Sequence, residues 1–121
     1  SAASDVYKRQ VLNIMRNAVQ ALENRGEIIL RTRVRRHFNI GSKKYRLVAR
    51  IQIIDNGPGI PEELRKQIFY PMITGRSDGT GLGLSIAQAL INRHRGLIEC
   101  ESQPGKTVFT LLLPLEGKHE L

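Results

Sequence analysis

The chain is short of the residues that would betray a function by composition alone. It has no tryptophan, and its six aromatic residues (Tyr7, Phe38, Tyr45, Phe69, Tyr70, Phe109) are spread along its length. The stacking platform used by sequence-tolerant single-strand binders is therefore missing. One cysteine, Cys100, leaves no internal disulfide; its place among alternating apolar and polar residues reads as a half-buried thiol, in keeping with a reducing cytoplasm. No apolar run approaches the roughly 20 residues that cross a bilayer, and no charged-then-apolar leader is present, so the segment is expected to be soluble and cytoplasmic. Repeats and low-complexity tracts are absent too. At 121 residues, with 40% apolar and 25% charged content, the chain has the size and composition of one globular domain.

Acids are the other scarcity: 11 Asp and Glu face 19 Lys and Arg, for a net charge of +8. Such a balance can serve nucleic acid, a membrane surface or an acidic protein. The basic residues are scattered, however. Their densest group, Arg31, Arg33, Arg35 and Arg36 followed by Lys43, Lys44 and Arg46, alternates with apolar positions in what reads as a two-stranded ribbon, so a solvated sheet face competes with a polyanion site.

What is present is a strong local pattern. Residues 1–10 open on the small, polar Ser1-Ala2-Ala3-Ser4-Asp5 and read as a linker or a remnant of cloning. From Val11, apolar residues at three- and four-residue steps (Leu12, Met15, Ala18, Val19, Leu22) predict an amphipathic helix ending near Gly26. Asn13 and Asn17 project from one face of it. Ile28–Val34 and Tyr45–Asp55 alternate as half-buried strands about the Asn39-Ile40-Gly41-Ser42 turn, a hairpin. Pro61–Ile68 has proline and acids in its first turn and predicts a short helix. Pro71–Gly79 lacks periodicity and reads as a lid; Leu82–Arg95 predicts a second long helix, and Leu97–Glu101 with Thr107–Pro114 a closing strand pair about Pro104-Gly105.

Two stretches carry chemistry. Gly79-Thr80-Gly81-Leu82-Gly83-Leu84-Ser85-Ile86 has the form of a phosphate cradle, because glycines let backbone approach a phosphate and a helix start offers free N–H donors. It is neither a Walker loop nor a dinucleotide fingerprint, and a structural turn explains it equally well. In Ile51-Gln52-Ile53-Ile54-Asp55-Asn56-Gly57-Pro58-Gly59-Ile60 an alternating strand ends on a carboxylate and a Gly-Pro-Gly turn. A carboxylate held there can accept a hydrogen bond from a buried amino group, or simply open the turn.

Taken together with the asparagine helix, these stretches resemble the ATP-binding domain of sensor histidine kinases, in the GHKL superfamily that also holds gyrase-type ATPases. Asn13-Ile14-Met15-Arg16-Asn17-Ala18 is similar to the asparagine box, Asp55–Ile60 to the first glycine box, Phe69-Tyr70-Pro71-Met72 to the phenylalanine box, Gly79–Leu84 to the second glycine box, and Gly105-Lys106-Thr107-Val108-Phe109 to the closing strand. All five follow the family's order. The Arg-Asn-Ala-x-Gln-Ala-Leu and Tyr-Pro-Met-Ile-Thr-Gly-Arg forms are similar to those of nitrogen-regulation kinases.

The resemblance implies an α/β two-layer sandwich of Bergerat type: a mixed, mostly antiparallel sheet covered on one face by about three helices, with the domain over 11–116 and a tail over 117–121. It implies ATP and Mg2+ as cofactors. Asp55 would take the adenine amino group with Gly57, Gly59 and Ile60 beside the base and Thr107 supporting the same edge. Asn17 would ligate the metal and Asn13 support the phosphates; Thr80, Gly81, Leu82, Gly83 and Leu84 would line them, and Arg76 would act on the γ-phosphate. His37, His94 and His119 do not stand in the family's acidic acceptor box. The phosphoryl acceptor is then a histidine on a separate dimerisation and phosphotransfer domain, with a response-regulator receiver domain and a PII-type signalling protein as further partners. The isolated domain is expected to be a monomer and the full kinase a homodimer, with no nucleic acid and no membrane in this segment. A clamp ATPase of the gyrase or mismatch-repair kind and a basic nucleic-acid module are the rival readings.

Overall fold

A computed structural model describes residues 2–23, 25–65 and 84–115, without the side chains of residues 2–4 and 85. The lid at 71–79 and, with it, Arg76, Thr80, Gly81, Leu82 and Gly83 lie outside the described residues, as does the tail.

Among the described residues three helices and four strands follow in the order α1 (Ala2–Leu22), β1 (Ile28–Ile40), β2 (Lys43–Asp55), α2 (Glu62–Arg65), α3 (Ser85–Arg93), β3 (Leu97–Gln103) and β4 (Lys106–Pro114). The strands form one sheet ordered β1-β2-β4-β3, every described pairing antiparallel. β1 is thus an edge strand, thirteen residues long. The hairpin is tighter than its sequence indicates, since pairing continues to Ile40 opposite Lys43 and only Gly41 and Ser42 turn. Residues 2–10 are helical and continuous with the predicted helix.

Side-chain alternation sorts the sheet into two faces. Ile53 and Ile51 of β2, Phe109, Leu111 and Leu113 of β4, and Ile98 and Cys100 of β3 point at the helices, where Ile14 of α1 and Leu84, Ala87 and Ile91 along α3 meet them. Ile14, Ile53, Ile91 and Leu111 are fully shielded or nearly so, and burying each such side chain is worth about 1.5–3 kcal/mol. A smaller cluster of Ile40, Tyr45, Val48 and Leu112 closes the far end of the hairpin. The core-facing side of α1 is Gln10, Ile14 and Ala18, at four-residue steps; Leu12 and Val19, which share the apolar spacing, are about half exposed.

The architecture places three backbone ends together. β2 finishes at Asp55, β3 at Gln103, and β4 begins at Lys106, all at the edge of the sheet where the Asn56–Ile60 turn leaves it.

A candidate nucleotide site at the end of the central strands

Register brings the site's polar groups into one row. Asp55 of β2 lies opposite Thr107 of β4, and Thr107 lies opposite Ser102 of β3. All three are buried, and among the described residues the other buried polar side chain is Gln10. Buried polar groups are tolerated only when hydrogen-bonded, and this row is. Asp55 Oδ1 accepts the Gly57 N–H at 2.9 Å. Ser102 Oγ accepts the Ile60 N–H at 2.8 Å and lies 2.7 Å from Thr107 Oγ1. Asp55 Oδ2 is left to receive a ligand's donor.

The glycine turn is held against this row. The Gly105 N–H donates to the Gly57 carbonyl at 2.9 Å, tying the β3–β4 turn to the first glycine box. Gly59 has φ of +89°, and a Cβ there would stand 2.7 Å from the Gln103 carbonyl oxygen, so only glycine lets the chain pass. Asn56 faces away: its Oδ1 accepts the Glu27 N–H at 2.8 Å and fastens the start of β1.

Sequence reasoning missed two members of this site, Ser102 and Arg65. Arg65 Nη1 donates to the Ser102 carbonyl from the end of α2. A cavity of about 440 Å3 lined by Arg65, Cys100, Ser102 and Lys106, among others, opens on this side of the row. A larger cleft, about 1030 Å3, lies elsewhere, between Tyr7, Leu12 and Met15 of α1 and Leu30 and Ile51 of the sheet. Its walls are mainly apolar and offer a triphosphate little, which leaves the buried polar row as the candidate site.

On α1, Asn13 is exposed and Asn17 half-buried, and neither side chain hydrogen-bonds to a described residue. Leu84 stands at the start of α3 with its side chain buried in the core, so only its backbone is free to face a ligand there. His94 ends α3; its carbonyl accepts the Tyr7 hydroxyl at 3.3 Å, and the two rings meet edge to face at 5.6 Å.

Cys100 neighbours the row and is half-buried, as the sequence indicates. Burial, with smaller contributions from the Asp55 and Glu101 charges and against the attraction of Arg65, pushes its thiol up to about 11 from 9.0. The unfolded chain ionises this thiol first as pH rises, so stability it contributes is present below pH 9 and is lost as pH climbs toward 11. Alkylation by iodoacetamide at pH 8 should run at least about tenfold slower in the folded than in the urea-unfolded chain, because thiolate is the nucleophile. Equal rates would place Cys100 in solvent.

The chain belongs to the family of histidine kinase-, DNA gyrase B- and HSP90-like ATPases, which it matches over residues 3–117. Among curated proteins it is 51% identical over 114 residues to the sensory histidine kinase/phosphatase NtrB of Vibrio alginolyticus, covering 93% of this chain and 33% of that protein. It is 54% identical over 112 residues to NtrB of Escherichia coli O157:H7, covering 92% and 32%. The chain thus spans about a third of the length of these relatives. The nucleotide-free catalytic domain of the histidine kinase ThkA superposes with a TM-score of 0.70 at 33% identity, over 91% of this chain and 66% of that one. ThkA solved in complex with the response regulator TrrA gives 0.67 at 28% identity, over 93% and 29%. The predicted fold class holds: helices on a sheet, in the manner of histidine kinase catalytic domains. Among the described residues no helix is long and apolar enough to cross a membrane.

Proposed function

We propose that this chain is the ATP-binding catalytic domain of a nitrogen-regulation sensor histidine kinase, which presents the γ-phosphate of Mg-ATP to a histidine on a separate dimerisation and phosphotransfer domain, for onward transfer to a response-regulator receiver domain. The observation that carries the reading is the buried row Asp55, Thr107 and Ser102 at the end of the central strands, beside a glycine turn that no larger residue could make. Such a row suits an adenine edge: a carboxylate oxygen to accept the amino group and a hydroxyl beside it. Family membership and the similarity to NtrB support the assignment.

The ion's fit can be judged from its donors. Magnesium takes oxygen ligands and keeps several waters. Among the described residues no three His, Cys, Asp or Glu side chains gather into a metal site, whereas Asn17 offers an amide oxygen with no described partner. Asn17 would therefore hold the ion jointly with the phosphates, and Asn13, one turn away, would steady a phosphate or an ion-bound water. The magnesium supplies charge neutralisation at the phosphates. Thr80, Gly81, Leu82, Gly83 and Leu84 would give phosphate contacts where α3 begins, and Arg76 would meet the charge that develops in transfer. The domain acts in the cytoplasm, as a monomer when isolated and within a homodimer in the full kinase, with a PII-type protein as regulator.

The test is labelling. The chain should bind Mg-ATP with a Kd between micromolar and millimolar, about 4–8 kcal/mol. With γ-labelled ATP it should take up no label alone, yet label the separately supplied dimerisation domain of its kinase, and Arg76→Ala should slow that transfer more than it weakens binding. No calorimetric heat and no melting shift at millimolar nucleotide would reject ATP binding. Acid-labile label on this chain alone would reject the division of labour.

A further inference from the structure

The ribbon of β1 and β2 carries charge of one sign. From Ile28 to Ile54 it holds no acid, and the pleat of the strands sorts its arginines. Arg31, Arg33 and Arg35 stand exposed on the face turned from the helices, and Arg50 of β2 lies directly opposite Arg33. None of the three exposed guanidinium groups meets a carboxylate among the described residues. Arg33 Nη1 donates to the Thr32 carbonyl at 2.8 Å, and Arg35 lies over the Phe38 ring, 5.9 Å from its centroid. Arg50 has its Nε buried with no hydrogen-bond partner among the described residues. The helix side of β1 is apolar instead. Leu30 and Val34 are exposed there with Thr32 between them, and the cleft of about 1030 Å3 reaches β1 at Leu30 and Thr32. No described strand pairs beyond β1, so its outward N–H and C=O groups are open along a strand of thirteen residues.

We propose that β1 is a docking edge for an extended segment of a partner protein in which acidic and apolar residues alternate, added to the sheet as a further strand. Such a segment answers all three features of the edge. Its backbone pairs with the open groups of β1. Its acids recur every ~6.8 Å, as alternate residues of any strand do, and so keep step with Arg31, Arg33 and Arg35 on one face. Its apolar residues point the other way and cover Leu30 and Val34 at the margin of the cleft. A nucleic acid answers only the charge: its phosphates would meet the arginines and leave the apolar row and the backbone edge bare. An acidic helix repeats every 3.6 residues and cannot follow an alternation of two. No residue of the buried row Asp55, Thr107 and Ser102 takes part, so the inference stands apart from the nucleotide reading.

The probe is a short peptide that alternates glutamate with valine, titrated against this chain by fluorescence anisotropy. Three other ligands are compared with it: a peptide of the same composition with its glutamates gathered at one end, a peptide with lysine in place of glutamate, and a single-stranded oligonucleotide of equal charge. The alternating peptide should bind at least about tenfold more tightly than the gathered one, and hydrogen exchange should show the strongest new amide protection within residues 28–40. Arg33→Gln should weaken it about three- to tenfold, as should Val34→Ser on the opposite face. Arg33→Glu should weaken it further and raise the affinity for the lysine peptide. Equal affinity for the alternating and gathered peptides would reduce the edge to general charge attraction and overturn the proposal. Protection centred outside β1 overturns it too. An oligonucleotide bound more tightly than the alternating peptide overturns it in favour of a nucleic-acid surface, and no binding at about millimolar peptide overturns it outright. Should a variant fail to fold, the parent's preference among the four ligands and the place of its protected amides decide the matter.

Discussion

Asp55→Asn should lower affinity for ATP by about ten- to a hundredfold while leaving the fold intact. The direction of the new amide is set in advance. One oxygen of residue 55 must still accept the Gly57 N–H, 2.9 Å away in the parent, so the asparagine keeps its carbonyl on that side and turns its N–H2 toward the ligand. An amino group would then meet an amino group in a buried position, and an unpaired buried donor costs about 1–3 kcal/mol in addition to the bond lost. Because one proton-bearing nitrogen replaces one oxygen at constant volume, the melting temperature without nucleotide should stay within about 2 °C of the parent. Calorimetry on both chains checks the first figure and thermal melting the second; unchanged ATP affinity removes Asp55 from the site.

Gly59→Ala should be the most destabilising single methyl in the described part of the site, costing about 2–4 kcal/mol and about 10–20 °C in melting temperature. Two independent penalties combine. The backbone at φ +89° is one that side-chain-bearing residues avoid, and the added carbon would lie 2.7 Å from the Gln103 carbonyl oxygen, a backbone atom that cannot swing aside. Relief requires the glycine turn to lift off β3. That movement pulls on the Ile60 N–H and its bond to Ser102, so ATP affinity should fall as well. A melting point within about 3 °C of the parent would show that the turn is not held against the strand as described.

Local pattern made most of the fold legible. Apolar spacing from Val11 to Leu22 gave a helix, alternation gave four strands, and Pro104-Gly105 as a two-residue turn fixes Gln103 opposite Lys106 and hence Ser102 opposite Thr107. The hydroxyl pair could thus have been found in the sequence by counting outward from that turn. Other features depend on contacts between distant residues. The helical spacing of Leu12 and Val19 matches that of Ile14 and Ala18, and only the position of the sheet decides that the first two stay half exposed. Arg65 reaches Ser102 across 37 positions of sequence, and Ile60 reaches it across 42, with no local signal at either end. Of the residues read as nucleotide contacts, Asp55, Gly57, Gly59, Ile60 and Thr107 converge in space. Asn13 and Asn17 share a helix face, as their spacing requires, and the assignment of Asn17 to the metal is a proposal drawn from resemblance.

The long edge strand β1 carries a hazard of its own. Its outer side offers backbone donors and acceptors to any extended chain, and such an edge is where sheets of separate molecules fuse. Arg31, Arg33 and Arg35 stand exposed on one face of it, opposite Gln52, Arg50 and Val48. A second copy adding its own β1 would stack two rows of guanidinium groups about 5 Å apart, well inside the roughly 8 Å over which physiological salt screens charge. The surplus of positive charge would therefore oppose pairing of two such edges, least in concentrated salt.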